Sequence, residues 1–247
     1  MKHLAISKMT VTALAALALA GCGSFIPTSD GGRTATASGA RSAPATNGGY
    51  SRAPALLPTT PRNPASRPED AACLTQLGAA GARFAPLPDA YVAPGCTQLG
   101  TVQLSALAGD RVSFGVSNIG PVQCQVASTF GNWARFGVDR AARQILGSPL
   151  ARIETMGSYA CRNVAGSSRR SAHATAEAID VSAFILEDGR RISLSDDWNG
   201  GSAAEREFLR VVHKSACKRF GTVLGPEYNR AHADHFHLEG TGSNFCR

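Results

Sequence analysis

Ser171-Ala-His173-Ala-Thr-Ala-Glu-Ala-Ile-Asp180 runs straight into Val181-Ser-Ala-Phe-Ile-Leu186, and the change of character along it decides the fold. The first part is small and polar and reads as a turn. From Ala178 to Leu186 the residues are apolar, β-branched and aromatic, which reads as a strand. Glu187-Asp188-Gly189-Arg190 is a turn signal leading into Arg191–Leu194, so a hairpin is expected. Asp180 lies inside the strand pattern, where a carboxylate is costly to desolvate unless something compensates it. His173, in the turn before it, can curl back to the same point.

In a second stretch, Ala233-Asp234-His235-Phe-His237-Leu-Glu239, residues His235 to Glu239 read as the last strand. His235 and His237 are two apart and so face one side, with Asp234 at the strand's start. The chain has six histidines, and three of them fall between 232 and 237. Each residue alone has an ordinary explanation: a capping Asp, a surface His, a hydrogen-bonded Ser. Together the two stretches supply His173, His235 and His237 beside Glu177, Asp180, Asp234 and Glu239. A catalytic zinc needs about three N/O ligands, an open position and a base nearby. The set points to one zinc ion and metal-assisted hydrolysis.

Working outward, Ala71–Ala80 reads as a short helix, with Leu74 and Leu77 on one side. Segments 99–107 and 111–116 read as strands. Gln123–Leu146 reads as a helix whose stripe carries Val126, Phe130 and Trp133, and Ile153–Cys161 as a strand. Ser202-Ala-Ala-Glu205 fits a capping box opening a helix to about Phe220, with Phe208, Val212 and Ala216 on one face. The expected class is α+β, with a small antiparallel sheet flanked by helices over residues 69–247.

The N-terminal third has a different character. Met1 to Lys8 is a short basic region, and Met9–Ala20 is an apolar run too short to span a bilayer. Leu19-Ala20-Gly21-Cys22 resembles a bacterial lipobox, with cleavage before Cys22 and acylation of its thiol; the alternative is an ordinary secretory signal. Gly23 follows in place of an acid that would favour inner-membrane retention. The expected location is therefore the periplasmic face of the outer membrane, with the acylated Cys22 in its lipid. Residues 22–68 are rich in Ser, Ala, Gly, Pro, Thr and Arg, without periodicity, and read as a disordered tether.

The formal net charge is +7. Lys2 and Lys8 leave with residues 1–21. Arg33, Arg41, Arg52, Arg62 and Arg67 belong to the tether, against Asp30, so the domain itself carries about +1. No basic face for nucleic acid is visible, and a monomer is expected. Beyond Cys22, six cysteines remain: Cys73, Cys96, Cys124, Cys161, Cys217 and Cys246. An even count in an exported domain implies disulfides, with fifteen pairings open and no CxxC pair to favour thiolate zinc.

Ser-x-His-(six)-Asp followed by Asp-x-x-His and His-x-His resembles the LAS metallopeptidases, which include D-alanyl-D-alanine dipeptidases, murein endopeptidases and the Hedgehog signalling domain. Within them the chain is most similar to bacterial extensin-like C-terminal domain proteins over roughly residues 70–247. Gly157-Ser158-Tyr159-Ala-Cys161-Arg162, Phe220-Gly221-Thr222-Val223-Leu224-Gly225-Pro226 and Asp234-His-Phe-His237 carry the likeness. The name implies no plant cell-wall extensin, since the tether lacks long proline runs.

The resemblance implies that His173, Asp180 and His237 ligate zinc and that Asp234 is the general base. It places Arg162 beside the scissile carbonyl and has Ser171 hold substrate or support the site. His235 is implied as an auxiliary proton carrier or a group that orients a ligand. The implied substrate is the peptidoglycan stem peptide. One departure is Ala176, where many members have Gly; if that position needs φ > 0, alanine is disfavoured. Two other readings stay open: a zinc-stabilised binding module without turnover, and a serine peptidase built on Ser215-Ala-Cys-Lys218, whose usual companion motifs are missing.

Overall fold

A computed structural model describes residues 67–242 and 244–247. The signal segment, Cys22 and the tether as far as residue 66 lie outside the described residues. Helix α1 (Pro68–Ala79) opens the domain, with Pro at its first turn. Arg67, counted with the tether above, pairs with Asp70 and with the buried Asp89. There follow β1 (Arg83–Pro86), β2 (Ala90–Ala93), β3 (Cys96–Gln98), β4 (Thr101–Ala108), β5 (Ser113–Ser117) and β6 (Val122–Gln123). Helix α2 (Cys124–Trp133) continues through wider π-type turns over Ala134–Asp139 and Ala142–Leu146. Next come β7 (Leu150–Gly157), β8 (Ala178–Leu186), β9 (Arg191–Ser193), α3 (Leu194–Gly200), α4 (Ala203–Ala216), β10 (Thr222–Leu224), β11 (Phe236–Glu239) and β12 (Phe245–Cys246).

The class is α+β, but the sheet is neither small nor wholly antiparallel. Ten strands form one sheet in the order β1-β4-β5-β7-β8-β11-β10-β12, with β6 on β4 and β9 on β8, while β2 and β3 make a separate pair. β5 and β7 run parallel because the helical segment 124–146 carries the chain across between them. β10 and β12 are also parallel. The strands absent from the sequence reading are mostly two to four residues long, too short to show alternation. Helix α3 was also missed, although Ser193 caps it by accepting from the Asp196 N–H.

The core lies between the sheet and the helices. Trp133 from α2 is fully buried, and its Nε1–H donates to the Val212 carbonyl of α4 at 3.0 Å. Phe184 of β8 and Phe220 pack edge-on against it. Truncating a residue so placed costs about 3–5 kcal/mol. Gly137 lets the two helical segments touch, since a Cβ there would stand 2.3 Å from Ser215 Oγ. The capping box at Ser202 and Glu205 forms as expected.

All six domain cysteines pair: Cys73 with Cys124, Cys96 with Cys161, and Cys217 with Cys246. They close separations of 51, 65 and 29 residues, each worth about 4 kcal/mol on a chain-entropy account. Among the described residues no helix is long and apolar enough to cross a membrane.

Candidate metal centre

Strand pairing builds the centre. β8 and β11 are antiparallel in a register that sets His237 opposite Asp180 and Glu239 opposite Ala178. Ile179 and Val181, on either side of Asp180, join the hydrophobic core, so the carboxylate faces away from it. β7 ends alongside at Gly157, whose φ of +116° turns the chain out of the sheet. The next residue, Ser158, then presents its carbonyl to His173 Nδ1 at 3.1 Å. His173 rides on a 3₁₀ turn, Ala172–Thr175, whose cap Ser171 accepts from the His173 N–H. The turn closes at Ala176, which adopts φ +58°, ψ +29°. The left-handed geometry that made alanine a doubtful fit is therefore present, and alanine occupies it.

Three side chains converge on one point. His173 Nε2 lies 3.1 Å from an Asp180 oxygen and 3.1 Å from His237 Nδ1, which is 2.8 Å from the other Asp180 oxygen. A carbonyl can only accept, so His173 Nδ1 carries the hydrogen and Nε2 turns a lone pair inward. His237 Nε2 faces Glu239 Oε1 at 2.9 Å, which leaves Nδ1 as the second inward lone pair of the neutral ring. Two imidazole lone pairs and a carboxylate aimed at each other are stable only around a proton or a cation. The residues fit a metal ion: ligands roughly 2.0–2.2 Å from a tetrahedral ion stand roughly 3.3–3.6 Å apart, a few tenths wider than here.

The electrostatics agree. Burial pushes the Asp180 carboxyl up, yet its close contacts with the His173 and His237 imidazoles hold it well below the usual carboxylate range. Burial pulls His237 down, but its bonds to Asp180 and Glu239 outweigh this and carry it up to about 9. A site that holds a proton so firmly is one that attracts positive charge.

The centre opens on a cleft of ≈450 Å³, lined by Arg162, Val164, Arg169 and Ser171 from the loop before His173 and by Tyr228, Asn229, His232 and His235 from the segment before β11. His235 precedes β11 rather than lying within it. Its Nδ1 binds Asp234 Oδ1 at 2.8 Å, and its Nε2 points toward the centre, 3.7 Å from Asp180. Asp234 itself is not part of the cleft wall; its side chain is 55% exposed and reaches the centre only through His235. Arg162 is exposed and lines the cleft. The buried Ser171 lines it too, with its hydroxyl turned to the backbone of His173.

A family model described as Extensin-like protein C-terminus matches residues 71–247. The chain belongs to that family. No curated protein and no solved structure matches it. Every residue of the centre and of the cleft wall lies within the matched span.

Within this extensin-like domain, several contributors to the site carried no role in the sequence reading. The Ser158 carbonyl fixes a tautomer through its backbone, which no side-chain pattern announces. Glu239 orients His237; its i+2 spacing on the strand was the available signal. The His232 ring lies tilted with its centroid 5.1 Å from that of His235, and burial with the neighbouring His235 and His237 pushes it down to about 4.

Two other clusters are not sites of this kind. Cys217 and Cys246, near His213, are joined in a disulfide. Ser215 is packed against Gly137 and accepts from Arg219 Nη1 at 2.8 Å, while Lys218 is exposed.

Proposed function

We propose that the domain is a zinc peptidase of the LAS type acting on stem peptides of peptidoglycan. The observation that carries this reading is the convergence of His173 Nε2, Asp180 and His237 Nδ1, with tautomers fixed from behind, on the floor of an open cleft. His₂Asp with room for a further ligand suits zinc, which when bound there would polarise an amide carbonyl and acidify water. The chain's own groups supply the rest. His235, its Nδ1–H held by Asp234, presents a basic Nε2 to the cleft. It takes the proton of the attacking water and returns it to the leaving amine as the C–N bond breaks. The resemblance gives the base role to Asp234; the geometry favours His235 as base with Asp234 fixing its tautomer. Arg162 faces the developing oxyanion with a fixed cation. Ser171 serves the turn that carries His173.

The envelope setting follows from the N-terminal pattern. Acylation at Cys22 would hold the protein on the periplasmic face of the outer membrane, and the tether would let the domain reach the cell wall. Digestion of muropeptides by the zinc-loaded protein, followed by mass spectrometry with and without chelator, tests the reading. New chelator-sensitive termini are expected. Stoichiometric zinc with no cleavage of any stem peptide would leave a binding module instead.

A further inference from the structure

The cleft offers a ligand more positive charge than the proposed chemistry uses. Its two lining acids, Asp180 and Glu239, are already spent on His173 and His237. Its arginines are not. Among the described residues neither Arg162 nor Arg169 pairs with a carboxylate, whereas Arg135, Arg140 and Arg143 all close on Asp110.

The loop between Cys161 and Ser171 shows how the two cations come to share the wall. It doubles back on itself: Asn163 bridges Arg170, the Val164 N–H donates to the Arg169 carbonyl at 2.9 Å, and the Ser171 N–H to the Arg162 carbonyl at 3.1 Å. In such a ribbon, alternate residues share a face. Arg162, Val164, Arg169 and Ser171 form one face, and all four line the cleft. Asn163 and Arg170 form the other. Arg170 is fully engaged there, donating to the Pro94 carbonyl of the β2–β3 hairpin at 3.2 and 2.8 Å and to Asn163 at 3.0 Å. The Cys96–Cys161 disulfide fastens the same loop to β3.

Arg162 and Arg169 are therefore diagonal neighbours on a braced ribbon, a relation that separates side-chain origins by roughly 7–8 Å. That is about two residues of extended peptide. Two like charges left facing the same cavity repel each other, and a ligand oxyanion would relieve this.

We propose that Arg169 is a specificity residue that receives a free carboxylate of the substrate about two residues from the bond cut. The ligand class is a short acidic peptide, its carboxylate either the C-terminal one or a side-chain one. This rests on the peptidase reading for the position of the bond, but not for the binding itself.

The test is titration calorimetry of the zinc-loaded full-length protein with L-Ala-γ-D-Glu-L-Lys-D-Ala-D-Ala. Forms amidated at the C-terminus, at the glutamate α-carboxyl, or at both are titrated beside it. One single amidation should weaken binding about ten- to hundredfold, the usual scale for a hydrogen-bonded charge. Arg169→Gln should weaken the free peptide by the same factor and leave the doubly amidated peptide unchanged, with Arg169→Lys between. Whichever amidation reproduces the loss identifies the source of the carboxylate. Equal losses for free and amidated peptides, or no loss, would overturn the proposal, as would failure of every form to bind the wild type. Carboxylate-dependent binding without hydrolysis would sink the peptidase reading and keep this subsite. Hydrolysis indifferent to amidation would do the reverse.

Discussion

The floor and the lip of the cleft are built differently. On the floor, Asp180 and His237 sit opposite each other in the β8–β11 register, buried and fixed by main-chain pairing. On the lip, Arg162 and Arg169 are exposed on a ribbon held by a disulfide and a few backbone bonds, and Asp234 lies outside the cleft wall, bonded to His235. Burial makes the floor suited to holding an ion, because fixed dipoles and charges act strongly there. Exposure leaves the lip free to meet a ligand. Changes to the floor should remove metal and activity together, while changes to the lip should alter turnover or affinity with the metal retained.

The largest effect is expected at the floor. His237→Ala should abolish stoichiometric zinc by elemental analysis and all chelator-sensitive hydrolysis. It should also lower stability by about 3 kcal/mol or more, because Asp180 loses its closest partner in a buried position. His173→Ala should likewise empty the site, and full zinc occupancy in that variant would remove His173 from it.

Next comes the pair that joins floor to lip. His235→Ala should keep zinc and lower hydrolysis by about two to four orders of magnitude, the scale of a lost general base. Asp234→Ala should keep zinc and cost about tenfold to a hundredfold, since it removes only the tautomer support. Steady-state kinetics decide between them: a loss at Asp234 as large as that at His235 would restore Asp234 to the base role.

The lip should respond more gently. Replacing Cys96 and Cys161 together by Ala loosens the ribbon that carries Arg162 and Arg169 and removes a constraint worth about 4 kcal/mol in the unfolded chain. A lower melting temperature and a higher KM are expected, with zinc content unchanged; loss of zinc would show that the ribbon also supports the floor.

The pH response concerns the floor alone. With His237 raised to about 9, its stabilising contribution to the metal-free protein is complete below the unfolded value near 6.5. It is lost as pH rises through about 9. Zinc must displace that proton, so its affinity should fall about tenfold per pH unit below 9, with about one proton released on binding. Calorimetry in buffers of different ionisation enthalpy measures the release, and no release would place the proton elsewhere.

The smallest effect belongs to Ala176. Glycine there would relieve a left-handed alanine but add freedom to the unfolded chain, so a gain within about 1 kcal/mol is expected from thermal denaturation.

The convergence of the floor residues was legible in the sequence because strand periodicity and short residue spacing are local signals. Asp180, His237 and His173 could be placed before any fold was known. The disulfide partners were not legible, since six thiols permit fifteen pairings and the choice is made by tertiary packing. The sheet was underestimated because its outer strands are too short to show a period and its parallel joint depends on a crossover. The orientation of the Asp234 side chain was not legible for a related reason. Its distance from His237 along the chain is local, but whether its carboxylate points into the cleft depends on the turn at 230–235, where His235 takes the inner position. Arg169 carried no motif, and only the pairing of Asn163 with Arg170 reveals which face of the ribbon it shares.

Anomalous diffraction at the zinc edge, from crystals of the zinc-equilibrated protein, tests the metal centre most directly. One peak bounded by His173 Nε2, the Asp180 carboxylate and His237 Nδ1 is the predicted result. No peak there, with the three groups bonded to one another around a proton, would contradict it.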